Sequence, residues 1–233
     1  MASPGILARS VRLRLERAYG LPVWRTPLPA LDELVSTILS QNTNDLNRDR
    51  AFQSLRARFP TWEAVRDAPS RSVVAAIRSA GLANLKGTRI QKALRAITAE
   101  RGSLDLDFLR RLPPDEARAW LLRLHGVGPK TAAIVLQFAL GHAAFPVDTH
   151  VYRVSGRLGL RPERASAEQA HDILADLFQP EDYGSVHLNL IRHGRQVCHA
   201  RRPACPDCIL RDLCQYWRAQ ETRPSPRSHA RTD

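Results

Sequence analysis

The sequence predicts an all-α fold. Apolar residues recur at intervals of three and four along most of the chain. Alternating apolar and polar stretches, the mark of a half-buried strand, are absent, and the breaks between periodic segments are short and carry Gly, Pro, Asn or Asp. With 233 residues, 43% of them hydrophobic, the chain is one large domain or two small lobes with a real core.

Leu31–Gln41 is the clearest helix, with Leu31, Leu34, Val35, Ile38 and Leu39 on one face. Asp49–Phe59 and Val73–Ala80 repeat the pattern, then Ile90–Ala99 through Ile90, Ala93, Leu94 and Ile97. Asp115–Leu124 and Thr131–Leu140 follow, and Val151–Leu158, Ala167–Phe178 and Val186–Val197 complete the series. Two glycine-bearing joints between helices stand out, Gly81–Gly87 and Gly126–Lys130. Residues 218–233 are polar, basic and rich in Pro and Ser, so they are expected to be disordered and to add non-specific phosphate attraction. The first few residues are expected to fray.

No run approaches the roughly 18–20 apolar residues of a membrane span. MASPGILARSVRLRLER lacks an apolar core segment and reads as neither signal peptide nor anchor, so the expected location is cytoplasmic, at the nucleoid. The net charge of +12 favours a polyanion partner, nucleic acid above all, although solubility and a general arginine bias give a blander account. That bias is plain: lysine occurs only at Lys86, Lys92 and Lys130. Arginine stays charged in proteins, so only a lysine can act as an amine nucleophile.

All four cysteines fall in one segment, Cys198, Cys205, Cys208 and Cys214, spaced C-x6-C-x2-C-x5-C. Four thiols this close form a ligand set for a soft metal centre. Structural zinc prefers two close pairs, and only Cys205 and Cys208 make one. The spacing suits a cubane, in which each cysteine takes a different iron corner. Zinc and a disulfide pairing stay open on spacing alone.

Leu124-His125-Gly126-Val127-Gly128-Pro129-Lys130-Thr131-Ala132 joins two helices. The two glycines allow positive φ and a tight reversal, Val127 can plug the core, and Pro129 suits the first turn of the next helix. The amides of that helix start then form an anion site, a phosphate clamp that reads no bases. A purely structural hairpin is the plainer alternative. Lys130 sits in the first turn, where the positive helix end, arginines and any burial favour a free amine, as an imine-forming nucleophile needs. The plainer alternative is a phosphate-binding lysine. The following helix is about 15 Å long and the connector Gly141–Val147 can span about 20 Å, so the chain can bring Asp148 back to the start of the Lys130 helix. Asp148-Thr149-His150 also reads as a helix cap.

These strings resemble the endonuclease III family: L-H-G-V-G-P-K-T-A, then V-D-T-H at residues 147–150, then the four-cysteine signature. The family comprises helix–hairpin–helix DNA glycosylases with a [4Fe–4S] cluster, and the resemblance covers roughly Leu31 to Tyr216. It implies two helical lobes with a cleft between them: a six-helix barrel at about 31–142, and a cluster lobe of about 143–217 joined by the N-terminal segment 1–30. It implies Lys130 as nucleophile at C1′, Asp148 as the essential carboxylate, and one [4Fe–4S] cluster on the four cysteines. The partner is duplex DNA carrying a damaged base or an abasic site, bound by a monomer, with the target nucleotide flipped out of the stack.

Further DNA contacts are implied for Gln41, which would fill the gap left by the flipped nucleotide, for Leu85 as a wedge between bases, and for Lys86 on phosphate. A polar helix cap at Gln41 and a core position for Leu85 are the plainer alternatives. Gly126, Gly128, Thr131 and His150 belong to the same implied surface. Arg192, His193, Arg195, Arg201 and Arg202 form a basic surface between and beside the cysteines, read as a loop that contacts DNA phosphates. The chain departs from the family pattern at His125, where several relatives carry proline, at Leu121 and Leu122, where they carry an acidic residue, and in the N-T-N-D stretch after Gln41. These departures surround the base pocket and leave the sugar chemistry intact. Removal of oxidised pyrimidines with strand nicking is the first reading. A glycosylase for mismatched thymine or uracil, an abasic-site lyase alone, and a non-catalytic DNA-binding cluster protein are the others.

Overall fold

The computed structural model describes residues 3–22 and 26–221, and these contain helices and turns with no strand. Twelve α-helices follow one another among them: α1 (Pro4–Tyr19), α2 (Ala30–Ser40), α3 (Asp45–Arg58), α4 (Trp62–Asp67), α5 (Ser70–Ala76), α6 (Ala83–Arg101), α7 (Pro114–Leu122), α8 (Pro129–Val135), α9 (Thr149–Leu158), α10 (Ala167–Ala175), α11 (Tyr183–Gln196) and α12 (Gln215–Glu221). α8 runs on as a π-helical turn, Leu136–Leu140. The end of the basic tail, 222–233, lies outside the described residues, as do 1–2. Residues 218–221, expected in the disordered tail, instead close α12, and from Pro4 on the chain expected to fray is helix, capped by the Ser3 side chain.

Local chemistry sets the boundaries. Asn44, Thr61, Asp148 and Ser166 each accept a hydrogen bond from the amide three residues on, the N-cap arrangement, and Ser166 completes a capping box with Gln169. Pro114 and Pro129 occupy first turns, where a missing N–H is harmless. α6 begins at Ala83, well before the periodic segment that announced it, so much of the Gly81–Gly87 joint is helix. Gly87 is a packing residue there: a β-carbon on it would meet Val74 Cγ2 at 3.2 Å.

The chain forms two compact units, Trp24–Pro146 and the pair Met1–Val23 with Val147–Asp233. The sequence reading placed the breaks after residues 30 and 142. The connector after α8 stays with its own helix because His142 N–H donates to Leu136 O at 2.9 Å and Ala144 N–H to Gln137 Oε1 at 3.1 Å.

In the first unit, α2 is the central rod. Between Ala30 and Leu39 every residue but Asp32 is buried, and α3, α6 and α8 pack around it. Leu34, Ile38, Leu55, Ile90, Leu94, Leu121, Ala132 and Val135 share this core. In the second unit α9 packs along α11, and Gly194 makes the approach possible, since a β-carbon there would stand 2.9 Å from His150 Cβ. α1 lies on α11 and buries Ala8, Val11 and Leu15.

Candidate active site

The hairpin follows from two glycines used differently. Gly126 has φ +85, a conformation that side chains resist, and a β-carbon on it would also strike Arg89 Cδ at 2.5 Å. Gly128 is extended (φ −104, ψ 179), with nothing within 4 Å of the place a β-carbon would take. Only one of the pair therefore serves the turn; the other leaves open space in front of α8. Val127 is buried between them. No side chain caps the start of α8, and its first intrahelical bond is Ala132 N–H to Gly128 O. Lys130 stands in this first turn, half-buried. The Thr131 side chain, expected at the DNA surface, is instead buried at 4% exposure, which leaves its backbone amide as the group at the helix start.

Gln41 ends α2 and reaches the hairpin. Its Nε2 donates to Gly126 O at 3.1 Å, and Arg89 Nη1 donates to its Oε1. The next residue, Asn42, is left-handed at φ +52. Leu85 is exposed at 44%, not a core residue. Lys86 corrects an expectation. Its ammonium is buried and donates to Leu39 O at 2.8 Å and to Ala80 O at 2.7 Å, so it closes the ends of α2 and of the turn Arg78–Ala80 and holds no phosphate. Burial first, and Arg89 second, lower its pKa.

Leu82 is a residue the sequence reading missed. It is more exposed than Leu85, at 54%, and sits at φ +48 directly after Gly81 at φ +67. A leucine held left-handed and presented to solvent is unusual for an apolar side chain. The signal was the Gly-Leu pair at the tip of the joint.

In the second unit, Asp148 Oδ1 accepts from Val151 N–H at 2.8 Å, so the residue caps α9. Lys130 and Asp148 thus belong to different units. His150 Nδ1 receives Arg153 Nη2 at 3.0 Å. Burial chiefly lowers the His150 pKa; Asp148 opposes that, while Arg153 and Arg195 add to it. Arg192, expected on phosphate, donates to Tyr19 O at 3.1 Å and lies over the Tyr19 ring, though it stays exposed. Arg195, Arg201 and Arg202 are exposed, Arg202 at φ +49.

Cys198, Cys205, Cys208 and Cys214 are free thiols that line one pocket with Val154, Leu158 and Leu210, so no disulfide joins them. Burial raises the thiol pKa at Cys205, Cys214 and, to about 11, at Cys208, and the neighbouring thiols push the same way. Such a set ionises together only around a cationic group. Donors already point at the sulfurs: Arg157 Nη1 to Cys198 Sγ at 3.3 Å, and Leu210 N–H to Cys208 Sγ at 3.4 Å. His193, buried and pushed by that burial to a pKa of about 4, bridges Cys208 Sγ (Nε2, 3.5 Å) and the Tyr19 hydroxyl (Nδ1, 2.9 Å). Among the described residues no three His, Cys, Asp or Glu side chains converge on a single metal ion.

Residues 35–180 match the HhH-GPD superfamily of base excision DNA repair proteins. The chain belongs to that superfamily. Endonuclease III of Sulfolobus acidocaldarius is 33% identical to it over 186 residues, 79% of this chain and 81% of that protein. An Arabidopsis thaliana protein named as a DNA glycosylase is 42% identical over 168 residues, 72% of this chain, and the chain spans only 57% of that plant protein. Among solved structures, a trapped covalent intermediate of endonuclease III with DNA is similar at a TM-score of 0.78 and 28% identity, covering 95% of this chain and 100% of that one. The all-α reading and the family resemblance both hold. The HhH-GPD match contains Lys130 and Asp148 and ends before the cysteines. Among the described residues no helix is long and apolar enough to cross a membrane.

Proposed function

We propose that this HhH-GPD protein is a bifunctional DNA glycosylase and abasic-site lyase acting on oxidised pyrimidines in duplex DNA. The observation that carries the reading is Lys130 in the first turn of α8, behind an uncapped G-V-G-P hairpin with open space at Gly128. The helix start and its amides grip the DNA backbone, and the flipped nucleotide meets the lysine amine. The covalent endonuclease III–DNA intermediate of the similar structure supports a covalent route.

The chemistry balances without an outside reagent. Neutral Lys130 Nζ bonds to C1′ as the glycosidic bond breaks, and the base leaves with the bonding pair and takes up a proton. Asp148 carries a negative charge for the sugar cation that develops, or relays a proton. Nζ gives up a proton and the C1′–O4′ bond breaks as O4′ takes one up, which opens the sugar ring to an imine; the imine makes a C2′ proton acidic, and its removal expels the 3′ phosphate oxygen and nicks the strand. Water hydrolyses the imine and restores the lysine. Gln41 fills the gap, and Leu82, with Leu85 beside it on the same turn, is the wedge that parts the bases.

We also propose that Cys198, Cys205, Cys208 and Cys214 hold one [4Fe–4S] cluster. Four thiols around one pocket, spaced C-x6-C-x2-C-x5-C with a single close pair, suit a group that offers a separate metal corner to each better than they suit a lone zinc ion. Bound there, the cluster would fix the shape of the basic loop 198–214; base removal itself transfers no electron. Arg157, His193 and Leu210 orient its ligands through N–H···S bonds.

Borohydride trapping on a duplex with one thymine glycol tests the whole reading. A covalent adduct with the natural chain and none with Lys130→Ala is the expected outcome. An adduct on an abasic duplex alone would keep the lyase and move the base preference elsewhere. No adduct on either would remove Lys130 as nucleophile.

A further inference from the structure

Gln41 is held in place by two partners from outside its own loop, one at each end of its amide. A carbonyl only accepts and a guanidinium only donates, so the contacts with Gly126 O and Arg89 fix which end of the amide faces which. Arg89 is anchored in turn. Its stem crosses Gly126 so closely that no β-carbon fits there. The arrangement is not fully satisfied, because Arg89 Nε is buried with no acceptor. A buried donor without a partner is unfavourable, which lowers the barrier to leaving this position.

We infer that Arg89 is a positioning residue that latches Gln41 against the hairpin and sets how sharply the protein separates gapped from intact duplex. The inference rests on the proposed gap-filling role of Gln41. In the latched position one Nε2 hydrogen and one Oε1 lone pair tie the amide to the hairpin, so Gln41 cannot swing out to a base until it trades both bonds. An orphan base offers a replacement donor and acceptor on its exposed edge. A paired base offers neither, and intact duplex leaves the latch closed. Asn42, already at φ +52, is the backbone position next to the side chain that moves.

The test uses the full chain and two duplexes of one sequence, intact or carrying a single tetrahydrofuran abasic analogue, with affinities read by fluorescence anisotropy. The readout is the ratio of the two affinities, which removes the general effect of losing a positive charge. Arg89→Met keeps a stem over Gly126 and removes the donor; its melting temperature reports whether it folds. The latch predicts that this variant raises the ratio about tenfold, the equivalent of one charge-assisted hydrogen bond. Arg89→Lys, which can still donate to Oε1, should stay near the natural value. In a Gln41→Ala background Arg89→Met should change nothing. If Gln41→Ala lowers the ratio but Arg89→Met leaves it unchanged or lower, gap filling stands and the latch is overturned. If Gln41→Ala itself leaves the ratio unchanged, gap filling falls and the latch falls with it. A rise with Arg89→Met that persists without Gln41 also overturns the latch, since the effect then runs through another contact.

Discussion

Asp148 accepts the Val151 amide hydrogen at 2.8 Å, so one carboxylate oxygen fixes the start of α9. Capping and catalysis can be separated by substitution. Asparagine caps as well as aspartate but carries no charge. Asp148→Asn should stay within about 0.5 kcal/mol of the natural stability and lose at least about 100-fold in base removal. Asp148→Ala should lose both the activity and about 1 kcal/mol. Urea denaturation beside single-turnover kinetics checks the pair; full activity in the asparagine variant would remove the proposed role of the charge.

The hairpin glycines should respond oppositely. Gly126→Ala meets a positive φ and the Arg89 stem together, so it should cost more than about 2 kcal/mol. Gly128→Ala has room and ordinary dihedrals, so stability should move by less than about 0.5 kcal/mol. If the space before α8 receives a DNA backbone, Gly128→Ala should weaken duplex binding about tenfold, roughly the worth of one charged hydrogen bond. Anisotropy on intact duplex decides it, and unchanged binding would place the DNA elsewhere.

Lys86 should behave as a structural cation. Lys86→Ala leaves the Leu39 and Ala80 carbonyls buried without a donor and opens a cavity, a loss of about 2–4 kcal/mol. The salt dependence of DNA binding should keep its slope, because no phosphate contact is lost. Because burial lowers its pKa, the unfolded chain holds the Lys86 proton more tightly than the folded one. Between the folded and unfolded pKa values stability therefore gains from this group as pH rises, and loses as pH falls. A flatter alkaline stability profile in Lys86→Met would show it.

For the cysteine pocket, Cys208→Ser should lose bound iron and sulfide together with soluble yield, by elemental analysis of the purified protein. Tyr19→Phe tests the bridge through His193. A ligand sulfur accepts, so His193 must donate from Nε2 and accept the Tyr19 hydroxyl at Nδ1. Without the hydroxyl that tautomer is no longer favoured, the N–H···S bond weakens and the potential of the proposed cluster should fall. Voltammetry reads this directly; an unchanged potential would sever the bridge from the cluster.

The sequence made some of this legible and hid the rest for physical reasons. α2 was plain because Leu31, Leu34, Val35, Ile38 and Leu39 repeat at helical spacing on a rod buried along its length. α3 begins at Asp45, earlier than its periodic segment, because a polar stretch capped by Asn44 carries no apolar signal. α6 was read short because Gly87 looked like a turn and is a close contact with Val74. The same error put Lys86 on a loop facing phosphate when it lies inside a helix facing carbonyls. The cysteines were visible as a string, whereas their neighbours were not: Tyr19 stands 174 positions from His193, and Arg157 stands 41 from Cys198. Leu82 was hidden because a left-handed leucine has no mark in the sequence beyond the glycine before it.

The unit that holds the cysteines is built from both sides of the hairpin unit, with Asn189 Nδ2 bonded to Gly20 O across 169 positions. On the ribosome α1 is made first and must wait for α11 before its apolar face can be covered. The hairpin unit, continuous in the chain, can fold while α1 waits. Loading of the proposed cluster would then follow the folding of the hairpin unit, so scarcity of iron or sulfide during synthesis would leave chains whose hairpin unit is folded while the unit that carries Asp148 is still unfinished.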